Sequence, residues 1–175
     1  MPKNNEIFLV LHNIRSAYNV GSIFRTADAA GVSKIYLCGY TPIPETRDKK
    51  PASQAKRGKQ VTNKISKTAL GAQNFVPWER HKQTWRLLEK LSARGGKDGF
   101  QIVALEQTKD SIDYRKFKPR FPLALILGNE ITGLSKNILK YTSIKMAIPM
   151  YGRKESLNVA VAFGISVYEI IKLKR

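Results

Sequence analysis

Three short stretches of this 175-residue chain hold residue types that can do chemistry. In NVGSIFRTADAAG, Asn19, Ser22, Arg25 and Asp28 recur at spacing three, so on a helix they share a polar face beside an apolar side of Ile23, Phe24 and Ala27. A guanidinium held beside an asparagine can be aimed at a phosphate or a reacting hydroxyl. The same spacing equally suits an exposed stripe with an Arg25–Asp28 ion pair, worth about 0.2–0.5 kcal/mol. In LILGNEITGLS, an apolar run ends in Gly128, Asn129 and Glu130, and Gly133 follows. Ligand crevices of open α/β sheets lie at the carboxyl ends of strands, and glycine there lets backbone approach a ligand closely. A plain turn with a solvated Glu130 would read the same way. In MYGRKESLNVAVAFG, Ser156 is a good N-cap for the helix that follows. That leaves Asn158 unexplained. Over 157–167 the helix is apolar almost all round, and such a helix is expected to be buried on every side. An amide inside it must be hydrogen-bonded, which makes Asn158 a candidate ligand contact. The sheet can cover one side of this helix; the other needs something more, such as a partner subunit.

Other chemistries lack their residues. There is no GxGxxG after a strand, no GxxxxGK[ST] and no GxSxG, so the dinucleotide, P-loop and α/β-hydrolase signatures are missing. Cys38 is the single cysteine, which excludes a disulfide framework and a Cys-based zinc site and reads as a buried small hydrophobe. His12 and His81 stand far apart, so metal catalysis is not expected. No apolar run approaches the roughly 20 residues of a membrane span. The opening MPKNNEIFLVLHN enters a strand-like run at once, so no targeting peptide is read and a cytoplasmic protein is expected. The charge is unusual: 31 Lys and Arg against 13 acids give +18. Such an excess points to a polyanion, because basic side chains release counterions from phosphates.

The elements that must hold these residues alternate. Apolar runs EIFLVLHN, KIYLCG, FQIVALE, PLALILGNE and IKMAIP read as strands. Helices are expected over 20–30, capped by Asn19 and closed by Gly31; in KQTWRLLEKLSARGG, with Trp85, Leu88 and Leu91 inward; in SKNILKYT; and over 157–172. This alternation predicts one α/β domain over 1–175, with a mostly parallel sheet and helices on both faces. Residues 41–67 are rich in Pro, Lys and Arg and read as an exposed basic loop, with one short helix near 64–72. Arg47, Lys49, Lys50, Lys56, Arg57 and Lys59 stand there, and over 47–67 Asp48 is the single acid, so they are candidate contacts to RNA phosphates.

The three stretches, in this order and at these separations, resemble the motifs of the SpoU/TrmH branch of the SPOUT RNA methyltransferases, and the likeness covers nearly the whole chain. SLNVAVA after IPMYG is the most specific part. The resemblance implies an α/β domain with a C-terminal trefoil knot, S-adenosylmethionine as cofactor, a homodimer, and methylation of a ribose 2′-hydroxyl in tRNA or rRNA. It implies a cofactor pocket built from Leu105, Gly128, Asn129, Ile148, Met150 and Leu157. It places the catalytic arginine at Arg25 and other polar site positions at Asn19, Glu130, Ser156 and Asn158. Two readings compete: a basic RNA-binding protein without catalysis, such as a ribosome-associated one, and a SPOUT enzyme that methylates bases. A cofactor pocket separates the first from an enzyme.

Overall fold

Strand β1 (Ile7–His12) buries five consecutive apolar side chains, so both of its faces must be covered. Ile7, Leu9 and Leu11 enter one core, while Phe8 and Val10 enter a second. In the computed structural model, which describes residues 5–45, 55–93 and 99–173, β1 sits inside a seven-stranded sheet. The other strands are β2 (Lys34–Cys38), β3 (Trp78–His81), β4 (Gln101–Leu105), β5 (Ile112–Asp113), β6 (Leu123–Leu127) and β7 (Ile144–Ala147). Their order is β3-β2-β1-β6-β4-β7-β5, and every pairing is parallel. All seven carboxyl ends therefore lie along one edge.

Helices α1 (Ala17–Ala29), α2 (Ala55–Ala69) and α5 (Val159–Lys172) cover the first face, with Ile23, Phe24, Ile65, Phe163 and Val167 in its core. Helices α3 (Thr84–Ala93) and α4 (Lys136–Leu139) cover the second, through Leu87, Leu88, Leu91 and Ile138. The expected α/β class, the mostly parallel sheet and helices on both faces all appear.

Several boundaries differ from the sequence expectation. Helix α1 begins at Ala17 rather than residue 20, because Ser16 and not Asn19 is the N-cap: Ser16 Oγ accepts from the Asn19 N–H at 3.3 Å. Gly31 closes the helix at φ +66°, the left-handed conformation expected of it. Asn158, not Ser156, caps α5; its Oδ1 accepts from the Ala160 N–H at 2.9 Å. The helix therefore starts at Val159, and Asn158 is exposed rather than buried. Nor is α5 covered on every side within one chain. Val161, Ile165 and Tyr168 are 51%, 37% and 50% exposed along one stripe. Trp85 also faces outward, and Leu87 takes the core place expected for it.

The largest correction lies in the basic stretch. Its second half is not a loop with a short helix near 64–72; residues 55–69 form the 15-residue helix α2. Lys, Arg and Gln lose little rotamer freedom in a helix, and no proline follows Pro51 until Pro77. Helix α2 packs tightly on α1 at Gly21. A Cβ there would stand 2.1 Å from Thr68 Oγ1 and 2.3 Å from the Ile65 carbonyl. Thr68 Oγ1 also donates to the Tyr18 carbonyl at 2.8 Å.

Candidate active site

The carboxyl ends of β4, β6 and β7 open into a cleft of about 360 Å³, roofed by the segment before α5. The six residues expected to hold a cofactor, Leu105, Gly128, Asn129, Ile148, Met150 and Leu157, all line it. Glu130 and Ser156 line it too, whereas Asn19, Arg25 and Asn158 do not. Leu105 and Ile148 lie at or just past the ends of neighbouring strands, and Gln107 Nε2 donates to the Ile148 carbonyl at 2.8 Å, tying the two strand ends together.

The turn after β6 is held by close approach. A Cβ on Gly128 would lie 2.6 Å from the Gly133 carbonyl carbon, so glycine is required there. Gly133 itself sits at φ +63° against the Glu106 carboxylate. Asn129 is 7% exposed, and its side chain is fully committed to structure. Nδ2 donates to the Asn13 carbonyl at 2.9 Å and to Tyr40 Oη at 2.8 Å, while Oδ1 accepts from the N–H groups of Ile131 and Thr132 at 2.9 and 3.0 Å. Asn129 therefore meets the cleft as wall, with no side-chain hydrogen-bonding group left over for a ligand.

One hydrogen-bonded relay joins all three sequence stretches. Asn158 Nδ2 donates to Asn19 Oδ1 at 3.0 Å, and Asn19 Nδ2 donates to Glu130 Oε1 at 3.1 Å. Glu130 further accepts from the N–H groups of Arg15 (2.9 Å) and Ser16 (3.1 Å). Partial burial pushes the Glu130 carboxyl up, but the amides of Arg15, of Glu130 itself and of Ser16, with the Asn19 side chain, outweigh it and hold the group below its ordinary value. Glu130 is thus a charged anchor for the start of α1, not a solvated turn residue.

Arg25 lies two turns along α1 from this relay. It is exposed, and it forms no ion pair with Asp28 or with any other described residue. The bland stripe reading of Arg25 thereby loses its partner. Next to it, Thr26 Cγ2 approaches Gly164 of α5, 3.8 Å from where a Cβ would stand. Thr26, the residue after Arg25, therefore borders α5 at Gly164.

Sequence reasoning missed Glu106, Gln107 and Glu155, which also line the cleft. Glu106 directly follows β4 and accepts from the Leu134 N–H at 2.7 Å, so the strand-end rule could have found it. Together Glu106, Glu130 and Glu155 bring three acidic residues to the lining, and among the described residues no Lys or Arg joins them, in a chain of net charge +18. Of the candidate RNA contacts, Arg47, Lys49 and Lys50 lie outside the described residues, and Lys56, Arg57 and Lys59 fall on α2, whose first side chains lie outside the description.

Burial shifts two further groups near the strand ends, Cys38 and His12. It pushes the Cys38 thiol up to about 12, against a hydrogen bond with Thr84, so this thiol is unreactive. It also lowers His12, which is neutral and carries its proton on Nδ1, since Asn13 Nδ2 donates to Nε2 at 3.2 Å. Among the described residues no three His, Cys, Asp or Glu groups gather as for a metal ion, and no helix is long and apolar enough to cross a membrane.

This geometry has a family. The sequence profile of the SpoU rRNA Methylase family matches residues 6–168. The tRNA (guanosine(18)-2′-O)-methyltransferase of Aquifex aeolicus is 33% identical over 167 residues, 95% of this chain and 69% of its own length. The putative TrmH family tRNA/rRNA methyltransferase YacO of Bacillus subtilis is 30% identical over 171 residues, 97% of this chain and 60% of its own. A crystal structure of the AdoMet-bound rRNA methyltransferase from Sinorhizobium meliloti superposes with a TM-score of 0.74 at 31% identity, covering 96% of this chain and 56% of that one. The chain thus spans 69%, 60% and 56% of the length of these three relatives. It belongs to the SpoU rRNA Methylase family.

Proposed function

We propose that this chain is an S-adenosylmethionine-dependent RNA methyltransferase that methylates a ribose 2′-hydroxyl in tRNA or rRNA, working in the cytoplasm as a homodimer of single knotted domains. The observation that carries the reading is the charge of the cleft. Three acidic residues line it, and no Lys or Arg among the described residues does, within a strongly basic chain. Such a wall selects against phosphate and for a ligand with a cationic centre. S-adenosylmethionine carries a sulfonium and an ammonium, and the apolar walls at Leu105, Ile148, Met150 and Leu157 suit its adenine and methionine chain. The Sinorhizobium relative binds the same cofactor, and the Aquifex relative is named for 2′-O-methylation of a tRNA guanosine.

When bound, S-adenosylmethionine supplies an electrophilic methyl group. The chain's own residues must bring a ribose oxygen in line with it and let that hydroxyl lose its proton. Arg25, charged and free, orients the phosphate beside that ribose and stabilises the developing oxyanion. A guanidinium holds its proton too firmly to be a good base, so its role is electrostatic. The Glu130–Asn19–Asn158 relay keeps the start of α5 in place beside the cleft. Arg25 does not line its own cleft, and its neighbour Thr26 lies against α5, so a second copy covering the exposed α5 stripe would let Arg25 serve the neighbour's site. The basic side chains of residues 47–67 would track RNA phosphates.

The test begins with calorimetry: the wild-type chain should take up one S-adenosylmethionine per protomer. Arg25→Ala should fold, dimerise and bind it normally, yet lose most methyl transfer to total tRNA and rRNA. Mixed under subunit exchange with Asn158→Ala, it should regain part of that activity, because one hybrid site would be intact. Full activity of Arg25→Ala alone, or no cofactor binding by folded wild type, would overturn the assignment.

A further inference from the structure

Resting on that reading, we infer that the sheet edge running from β3 to the cleft is a track for unpaired RNA, with Trp85 and Tyr40 as its base-stacking platforms. The parallel topology brings the chain segments that follow β3, β2, β1 and β6 to this edge side by side. Strands lie about 4.8 Å apart, so the span from β3 to β6 is about 14 Å, roughly four nucleotides at the 3.4 Å rise of a stacked strand. Two aromatic side chains stand out from it. Tyr40, just after β2, is 59% exposed, and Trp85, in the first turn of α3, is 39% exposed. Neither belongs to a core cluster.

Both platforms are mounted on a rigid rail. Thr84 Oγ1 meets His12 Nδ1 at 2.7 Å, and Asn13 Nδ2 donates to His12 Nε2. Asn13 Oδ1 accepts from the Tyr40 N–H at 3.2 Å, with Asn13 held at φ +58°. Asn129 then donates to the Asn13 carbonyl and to Tyr40 Oη, and Asn129 is itself cleft wall. An unbroken hydrogen-bonded chain thus connects the residue beside Trp85 to the edge of the cleft. Preorganised aromatics of this kind lose little freedom when a base stacks on them.

The charge around them fits a nucleic acid backbone. Arg15, Lys82 and Arg86 are exposed along the same edge, and none forms an ion pair among the described residues. Arg86 lies over the Trp85 ring, 5.1 Å from its centroid, and puts a cation beside this platform. Glu79, the acid of β3, is engaged by Lys34 and His81. Aromatic platforms read base faces, which only unpaired RNA presents, so the track takes a single strand, loop or bulge and delivers it toward the cleft.

The test uses the full chain, an oligouridylate and a blunt RNA duplex of equal length. Trp85→Ala should weaken oligouridylate binding by about 5- to 150-fold, the loss of one base–aromatic stack, and change duplex binding by less than about twofold. Trp85→Phe, which keeps a π face, should restore most of it. In a Trp78→Phe background Trp85 is the sole tryptophan, and its fluorescence should be quenched by the oligouridylate and not by the duplex. Unchanged strand binding by Trp85→Ala, or an equal loss on strand and duplex, overturns the track. Cofactor titration of the same samples separates the two readings. Cofactor uptake without a stacking signal overturns the track alone, whereas stacking without cofactor uptake overturns the methyltransferase reading and leaves the track standing.

Discussion

Replacing Glu130 by Gln tests whether its charge anchors the start of α1. The carboxylate accepts three hydrogen bonds, from Arg15 N–H, Ser16 N–H and Asn19 Nδ2, at 2.9, 3.1 and 3.1 Å. The amide keeps one oxygen, which would retain the two partners now on Oε1. Its NH₂ would then face the Arg15 N–H, donor against donor. The loss is one charge-assisted bond, about 1.5–3 kcal/mol in a closed site. Arg15 is exposed and water can take over, so the lower end applies, about 1–2 kcal/mol. For a chain of this size each kcal/mol moves Tm by about 2–4 °C, so Glu130→Gln should melt about 2–8 °C lower at pH 7. The pH dependence carries the sign. A carboxyl whose folded pKa is depressed contributes stability that is present above its unfolded value, near 4.3, and is lost as pH falls through the folded value. The gap between wild type and Glu130→Gln in thermal unfolding should therefore be full at neutral pH and close below about pH 4. Equal melting at pH 7, or a gap that persists unchanged in acid, would refute the anchoring argument.

Two further outcomes follow from packing. Alanine usually stabilises a helix interior over glycine by about 1 kcal/mol, but Gly21→Ala should destabilise by about 1–3 kcal/mol in urea unfolding, because its Cβ would meet the Ile65 carbonyl of α2 at 2.3 Å. On the homodimer reading, Val161→Asp should leave a cooperatively folding chain that sediments as a monomer, since Val161 belongs to the exposed α5 stripe and not to the core; a dimer that survives the change would place the interface elsewhere.

The strands that position the site were legible because they are buried on both faces. IFLVL and LALIL have no polar interruption, so period and face did not need to be known in advance. Edge strand β3, WERH, was not legible, since none of its four residues is buried. Helix α2 was hidden by composition. Its buried anchors Ile65 and Ala69 stand one turn apart among lysines and polar residues, which is too thin an apolar stripe to outweigh the look of a basic loop. At the site, the motifs, through their family resemblance, implied one pocket holding Leu105, Gly128, Ile148, Met150 and Leu157, and all five line the cleft. They did not reveal that Asn158 points its amide at Asn19, or that Asn129 faces structure on all four bonds, because a cap, a strut and a ligand contact are spelled with the same letter.

The opposition of charge between cleft and chain bears on how two ligands of opposite sign can meet. At physiological salt, fields between exposed charges fade over roughly 8 Å. A cation in the cleft therefore feels chiefly Glu106, Glu130 and Glu155 on its walls, not the distant lysines that make the chain +18. A polyanion arriving at the surface feels those lysines and arginines, and is turned back from the cleft by the same three carboxylates. On the methyltransferase reading, the two would meet at the seam where the fields cross, beside Glu130, which holds Asn19 and Asn158 in register. On the methyltransferase reading, transfer also removes the sulfonium charge. The product keeps its ammonium but loses the sulfonium's share of that attraction, so the acidic lining that favours loading also favours release.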